Sequence, residues 1–93
     1  MELPVIYDNL TSITRKKVRE AYIKKQEDKC CFCGKLLSGK PAKKVRKKNI
    51  NKNLFPHNFF NYPIHLHHSH KTGLTIGAVH CECNAVLWQY YGE

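Results

Sequence analysis

Cys30-Cys31-Phe32-Cys33-Gly34 and His80-Cys81-Glu82-Cys83 hold all five cysteines of this 93-residue chain, and they constrain its fold more than any other feature. Two thiolates separated by two residues on a tight turn can grip one tetrahedral ion, and Gly34 permits the turn after Cys30 and Cys33. In the second cluster His80 and Cys83 repeat that gap. Cys81 and Cys83, with one residue between them, are too close for the usual knuckle. The spacing therefore predicts a structural Zn²⁺ on Cys30, Cys33, His80 and Cys83, with Cys31 and Cys81 spare. The interval between the pairs exceeds the roughly 15–20 residues of simple zinc sites, which an inserted loop would explain. Buried or disulfide-bonded cysteine is the plainer reading. It is disfavoured by the odd number of thiols and by the absence of a basic start and apolar stretch over Met1–Leu10.

A chain of this length reads as a single domain, 1–93. Hydrophobic burial alone leaves such a domain marginal, so a metal staple is physically apt. An apolar content of 42% argues against a disordered basic tail. No apolar run approaches the ~18 residues that a membrane span needs.

The charge is lopsided. The formal net charge is +9, and no Asp or Glu occurs between Asp28 and Glu82. That interval carries Lys43, Lys44, Arg46, Lys47, Lys48 and Lys71 among other cations, a surface suited to collecting phosphates. A solvated, self-repelling loop is the alternative. An anionic membrane is a poorer partner, because no amphipathic helix accompanies the run.

Local pattern gives a coarse order of elements. Thr11–Gln26 reads as a helix capped by Thr11, Ser12 or Thr14, with Val18, Ala21 and Tyr22 on one face. Leu36–Asn53 reads as a basic, mostly irregular excursion, broken by Gly39 and Pro41. Leu54–Pro63 is aromatic-rich, and core packing is favoured over base stacking for Phe55, Phe59, Phe60 and Tyr62. Ile64–His68 alternates as a strand, Lys71-Thr72-Gly73 makes a turn, and Leu74–Val79 makes a second strand. Asn84–Tyr91 reads as a terminal helix.

Four histidines fall within six residues, His65-Leu66-His67-His68-Ser69-His70. Core packing suits one such residue better than four, so metal binding, acid–base work or phosphate contact is indicated. Strand alternation sets His67 and His68 on opposite faces, in different roles. The run His67-His68-Ser69-His70-Lys71-Thr72-Gly73, then Gly77, then His80-Cys81-Glu82-Cys83-Asn84, resembles the HNH nucleases of the ββα-metal (His-Me finger) fold, closest to the recombination endonuclease VII type. The likeness extends from about Thr11 to the end.

That resemblance implies a small α+β chain with a zinc-stapled ββα-metal (HNH) fold, an N-terminal helix and a basic loop insertion. It also implies a metal-dependent DNA endonuclease. His68 falls on the general base, His67 and Asn84 on the ligands of the catalytic ion, and His70 on a residue that orients groups or contacts phosphate. The chain departs from the family in having His67 where Asp is usual and His80 where the second knuckle usually starts with Cys. A His-His pair is similar to the one in the nuclease domains of DNase colicins. The implied catalytic ion is Mn²⁺, Mg²⁺, Ni²⁺ or Co²⁺, and the implied partner is DNA. A homodimer is the assembly that would turn a nick into a double-strand break. The implied setting is intracellular and phage-like, in the cytoplasm of a bacterial host. A zinc module that binds nucleic acid without cutting it is the competing reading.

Overall fold

The computed structural model describes residues 2–92. Helix α1 spans Ser12–Lys25, and Thr11 caps it reciprocally with Thr14. The Thr11 hydroxyl accepts from the Thr14 backbone N–H, while the Thr14 hydroxyl accepts from that of Thr11, so two orphan donors are satisfied. Val18 and Tyr22 on this helix are buried, as the 3.6-residue period requires.

After α1 the chain turns through Glu27 and Asp28, both at positive φ, into the first knuckle. The knuckle is a tight loop. The Cys30 N–H donates to the Lys35 carbonyl, the Gly34 N–H donates to the Cys30 carbonyl, and Lys29 and Leu36 form a bridge. Gly34 sits at φ +79°, the left-handed region that glycine occupies without penalty.

The basic excursion is more ordered than its composition suggests. Helix α2, Lys43–Arg46, forms a single turn, and Val45 projects from it into the core. One buried valine among five cations anchors the segment, and burial outweighs local repulsion there. Single 3₁₀ turns follow at Lys52–Leu54 and Phe59–Asn61.

Strands β1 (Ile64–His68) and β2 (Thr75–His80) pair antiparallel, and helix α3 (Cys81–Tyr91) leaves β2 directly. The second strand thus runs to His80, and α3 starts at Cys81, three residues before the Asn84 start read from sequence. The second knuckle therefore straddles the joint between strand and helix. Register runs evenly from Ile64 opposite His80 to His67 opposite Gly77, then breaks, with His68 opposite Thr75.

Both helices pack on the strand pair, and α2 packs on α3. Val18, Tyr22, Leu37, Val45, Leu66, Val79 and Val86 form the core together with Cys30 and Cys83. The aromatic segment does not join it: Phe55, Phe59 and Phe60 are half-buried against one another, and Tyr62 is exposed.

Two ties position the functional parts. Gln26, just past α1, donates through Nε2 to the Lys29 and Ala78 carbonyls and accepts at Oε1 from the Ala78 N–H. This clamps the first knuckle to β2. Gly77 makes the approach feasible, since a Cβ there would lie 2.7 Å from Gln26 Oε1 and 3.0 Å from Cys31 Sγ. The second tie is the N-terminal segment. It runs beside the start of β2, with the Thr75 N–H donating to the Val5 carbonyl and the Tyr7 N–H donating to the Gly73 carbonyl.

Candidate functional site

The ligand atoms of Cys30, Cys33, His80 and Cys83 lie within 4.8 Å of one another. These are the four residues that the two knuckles predicted. His80 Nδ1 is 3.5 Å from Cys33 Sγ and 3.6 Å from Cys83 Sγ. A tetrahedral zinc with ordinary Zn–S and Zn–N bonds sets its sulfur and nitrogen ligands about 3.5–3.6 Å apart, so the spacing fits. His80 Nε2 donates to the Leu36 carbonyl at 2.8 Å, which fixes the tautomer and turns the Nδ1 lone pair toward the sulfurs. His80 is only 2% exposed and Cys83 is fully buried, whereas Cys33 is half-buried at the edge of the group. The cluster can hold a structural metal such as zinc.

The thiols sort themselves consistently with this. Cys30 is held well below its usual value, chiefly by the hydrogen bond with Cys83, whose own thiol is pushed up by the same pairing. A metal bound there would take the place of the proton that Cys83 retains. Cys81 is pushed up to about 12 by burial and by its hydrogen bond to Glu82 Oε1 at 3.0 Å. It faces away from the quartet as a neutral thiol, which resolves the choice between His80 and Cys81. Burial also raises Cys31, which lies outside the group.

A second site lies beyond the sheet. His65, His67, His68, His70, Asn84 and Trp88 line a cavity of about 770 Å³ between β1, α1 and α3. His67 is buried and His68 half-buried. Both line this cavity, as does every residue of β1. The register breaks between them, and such irregularities add local twist and re-aim side chains. His68 stacks on Tyr7 with ring centroids 3.9 Å apart and planes 9° from parallel. Burial lowers its pKa, with His70 and His67 adding to the effect. His70 is exposed at the cavity edge, 5.0 Å from the His68 ring and 5.1 Å from that of Trp88.

Asn84, in the first turns of α3, has its side chain set by His65. A carbonyl can only accept, so the 2.8 Å contact with the Phe59 carbonyl gives the proton to His65 Nε2. His65 Nδ1 is then an acceptor and takes a hydrogen bond from Asn84 Nδ2 at 3.0 Å. This leaves Asn84 Oδ1 as the acceptor end of the amide. Burial lowers the His65 pKa and keeps the ring neutral for this role. Sequence reasoning left His65 without an assignment; its placement on the His67 face of the strand was the available signal.

The cations read as nucleic-acid contacts do not enter this cavity. Lys43, Lys44, Arg46, Lys47 and Lys48 are exposed on and after α2. Their segment is tied to α3, where the Gln89 amide and the Tyr90 hydroxyl both donate to the Asn49 carbonyl. Lys71 is exposed in the turn between the strands. The cavity's own cations are Arg15 and Arg19 of α1, which sequence reasoning missed. Among the described residues, no helix is long and apolar enough to cross a membrane. Compared with protein-family models, curated proteins and solved structures, the chain matches none.

Proposed function

We propose that the protein is a metal-dependent DNA endonuclease of the HNH type. The observation that carries this reading is the convergence of His67, His68, His70 and Asn84 on one cavity, beside a Cys₃His group that staples strand to helix. In this reading neutral His68 takes a proton from water, and that water attacks phosphorus. Stacking on Tyr7 holds the imidazole plane, and burial keeps the ring unprotonated. His67 and the Asn84 oxygen would hold the divalent ion, which when bound stabilises negative charge on the phosphate and the leaving oxygen. His65 keeps the Asn84 amide turned so that its oxygen is available. His70 orients groups at the rim, and the exposed lysines neutralise the duplex backbone. Thiol ligands suit a reducing, intracellular setting. The test is incubation of purified protein with supercoiled, linear and branched DNA under several divalent ions. A zinc module that only binds DNA would shift the substrate without cutting it.

The ion preference follows from the donor set. Among the described residues, no carboxylate lines the cavity. Mg²⁺ favours hard oxygen ligands, whereas imidazole suits later transition metals. Cleavage is expected to run faster with Mn²⁺, Co²⁺ or Ni²⁺ than with Mg²⁺, and His67→Asp is expected to shift the preference back toward Mg²⁺. A strong Mg²⁺ preference in the unaltered protein would relegate His67 to a minor role.

The lysine segment is expected to govern affinity. Replacing Lys43, Lys44, Arg46, Lys47 and Lys48 together with glutamine should weaken DNA binding. It should also flatten the dependence of log K on log salt by about 0.9 for each phosphate no longer neutralised. An unchanged slope in binding titrations would mean that the segment faces away from DNA.

A further inference from the structure

Arg15 and Arg19 lie four residues apart on α1, half-buried, and both line the histidine cavity. The Arg15 guanidinium carbon sits 4.6 Å from the centroid of the Tyr7 ring, the ring on which His68 also stacks. That contact accounts for where the charge rests, but not for its hydrogen bonds. Among the described residues, Arg15 Nε is the buried side-chain polar atom left without a partner. A buried donor without an acceptor is costly, and a guanidinium cannot shed its proton to relieve the cost. The cost is compounded twice. Like charges four residues apart weaken a helix. Among the described residues no Asp or Glu lines the cavity itself, and Asp8 and Glu82 act on His68 and His65 from outside it.

An anionic occupant would offset the two like charges on the cavity wall. A planar guanidinium matches the oxygens of phosphate in shape and charge, and such charge-assisted pairs are among the strong hydrogen bonds. The volume of about 770 Å³ admits a phosphodiester with its flanking sugars. We infer that Arg15 and Arg19 are an anion clamp for a phosphate group in this cavity, their guanidinium groups donating to its non-bridging oxygens. The inference rests on the nuclease reading for one point, that the phosphate is the scissile one. Arg15 and His68 both pack on the Tyr7 ring and both line this cavity, so clamp and general base belong to one site. The clamp also supplies positive charge that the neutral ligands His67 and Asn84 leave to the ion alone.

The test uses zinc-loaded His68→Ala protein, titrated with inorganic phosphate and with a short DNA duplex while the arginine Nε–H signals are followed by NMR. A shift of the Arg15 Nε–H signal on saturation with either probe is expected. Arg15→Lys, which keeps the charge but loses the fork, should weaken binding about ten- to a hundredfold. An Arg15 signal unmoved by both probes at saturation overturns the clamp, even where cleavage by the unaltered protein depends on His68. A shifted signal combined with wild-type cleavage by His68→Ala supports the clamp and discards the nuclease role of His68 instead.

Discussion

Cys33→Ser is expected to leave the protein unfolded or aggregated, with its zinc lost. The quartet joins the first knuckle to the start of α3, and three of its members, Cys30, His80 and Cys83, are buried. Structural zinc sites in small peptides bind with roughly 10–16 kcal/mol, which exceeds the stability of most domains of this size. Removing one of three thiolates therefore removes more free energy than the fold has to spare. Circular dichroism and metal analysis check this directly. Folded, active protein with no tightly bound zinc would refute the site. Cys31→Ser and Cys81→Ser serve as controls and should keep full zinc stoichiometry, because both sulfurs lie outside the quartet.

The second large effect is on chemistry rather than stability. His68→Ala should lower cleavage by about 10²–10⁴-fold, the range typical of a lost general base, while fold, zinc content and DNA binding persist. The ring is half-buried and stacked on the equally half-buried Tyr7, so its loss leaves only a modest gap. Cleavage at the wild-type rate would end the assignment and favour a pure binding module. The pH profile carries a matching signature. Burial lowers the His68 pKa from the ordinary imidazole value of 6.5, so the base stays neutral into mildly acidic solution. Activity should be full above 6.5 and fall only as pH drops through the lowered value. A limb centred above 6.5 would indicate a different base.

The zinc quartet was legible because ligand spacing is a local property: a turn between two thiols needs nothing from the rest of the chain. The strand, turn, strand and helix were legible for the same reason, through their periods. What escaped depends on distant partners. The register break at His67 and His68 arises from how β1 meets β2, and strand alternation alone does not announce it. Helix α2 forms because Val45 finds the core, a gain invisible in a run of lysines. Arg15 and Arg19 looked like ordinary surface cations of α1, and only the packing of that helix against the strands turns them inward. Tyr7 reaches His68 because residues 5–7 pair with the start of β2, and no period announces a segment so short.

His80 has a consequence for how the protein should respond to chelators. It ends β2, precedes the first residue of α3, and presents Nδ1 to the sulfurs. Asn84 sits one helical turn further along. An ion held by the quartet would thus set the angle at which Asn84 enters the histidine cavity, without entering the chemistry proposed there. A chelator should then inhibit in two phases. The first would be rapid and reversed by adding Mn²⁺, as the cavity loses its ion. The second would be slow and reversed only by zinc and refolding, as the buried sulfurs give up theirs. A stopped assay sampled over hours, with each metal added back separately, would resolve the two clocks.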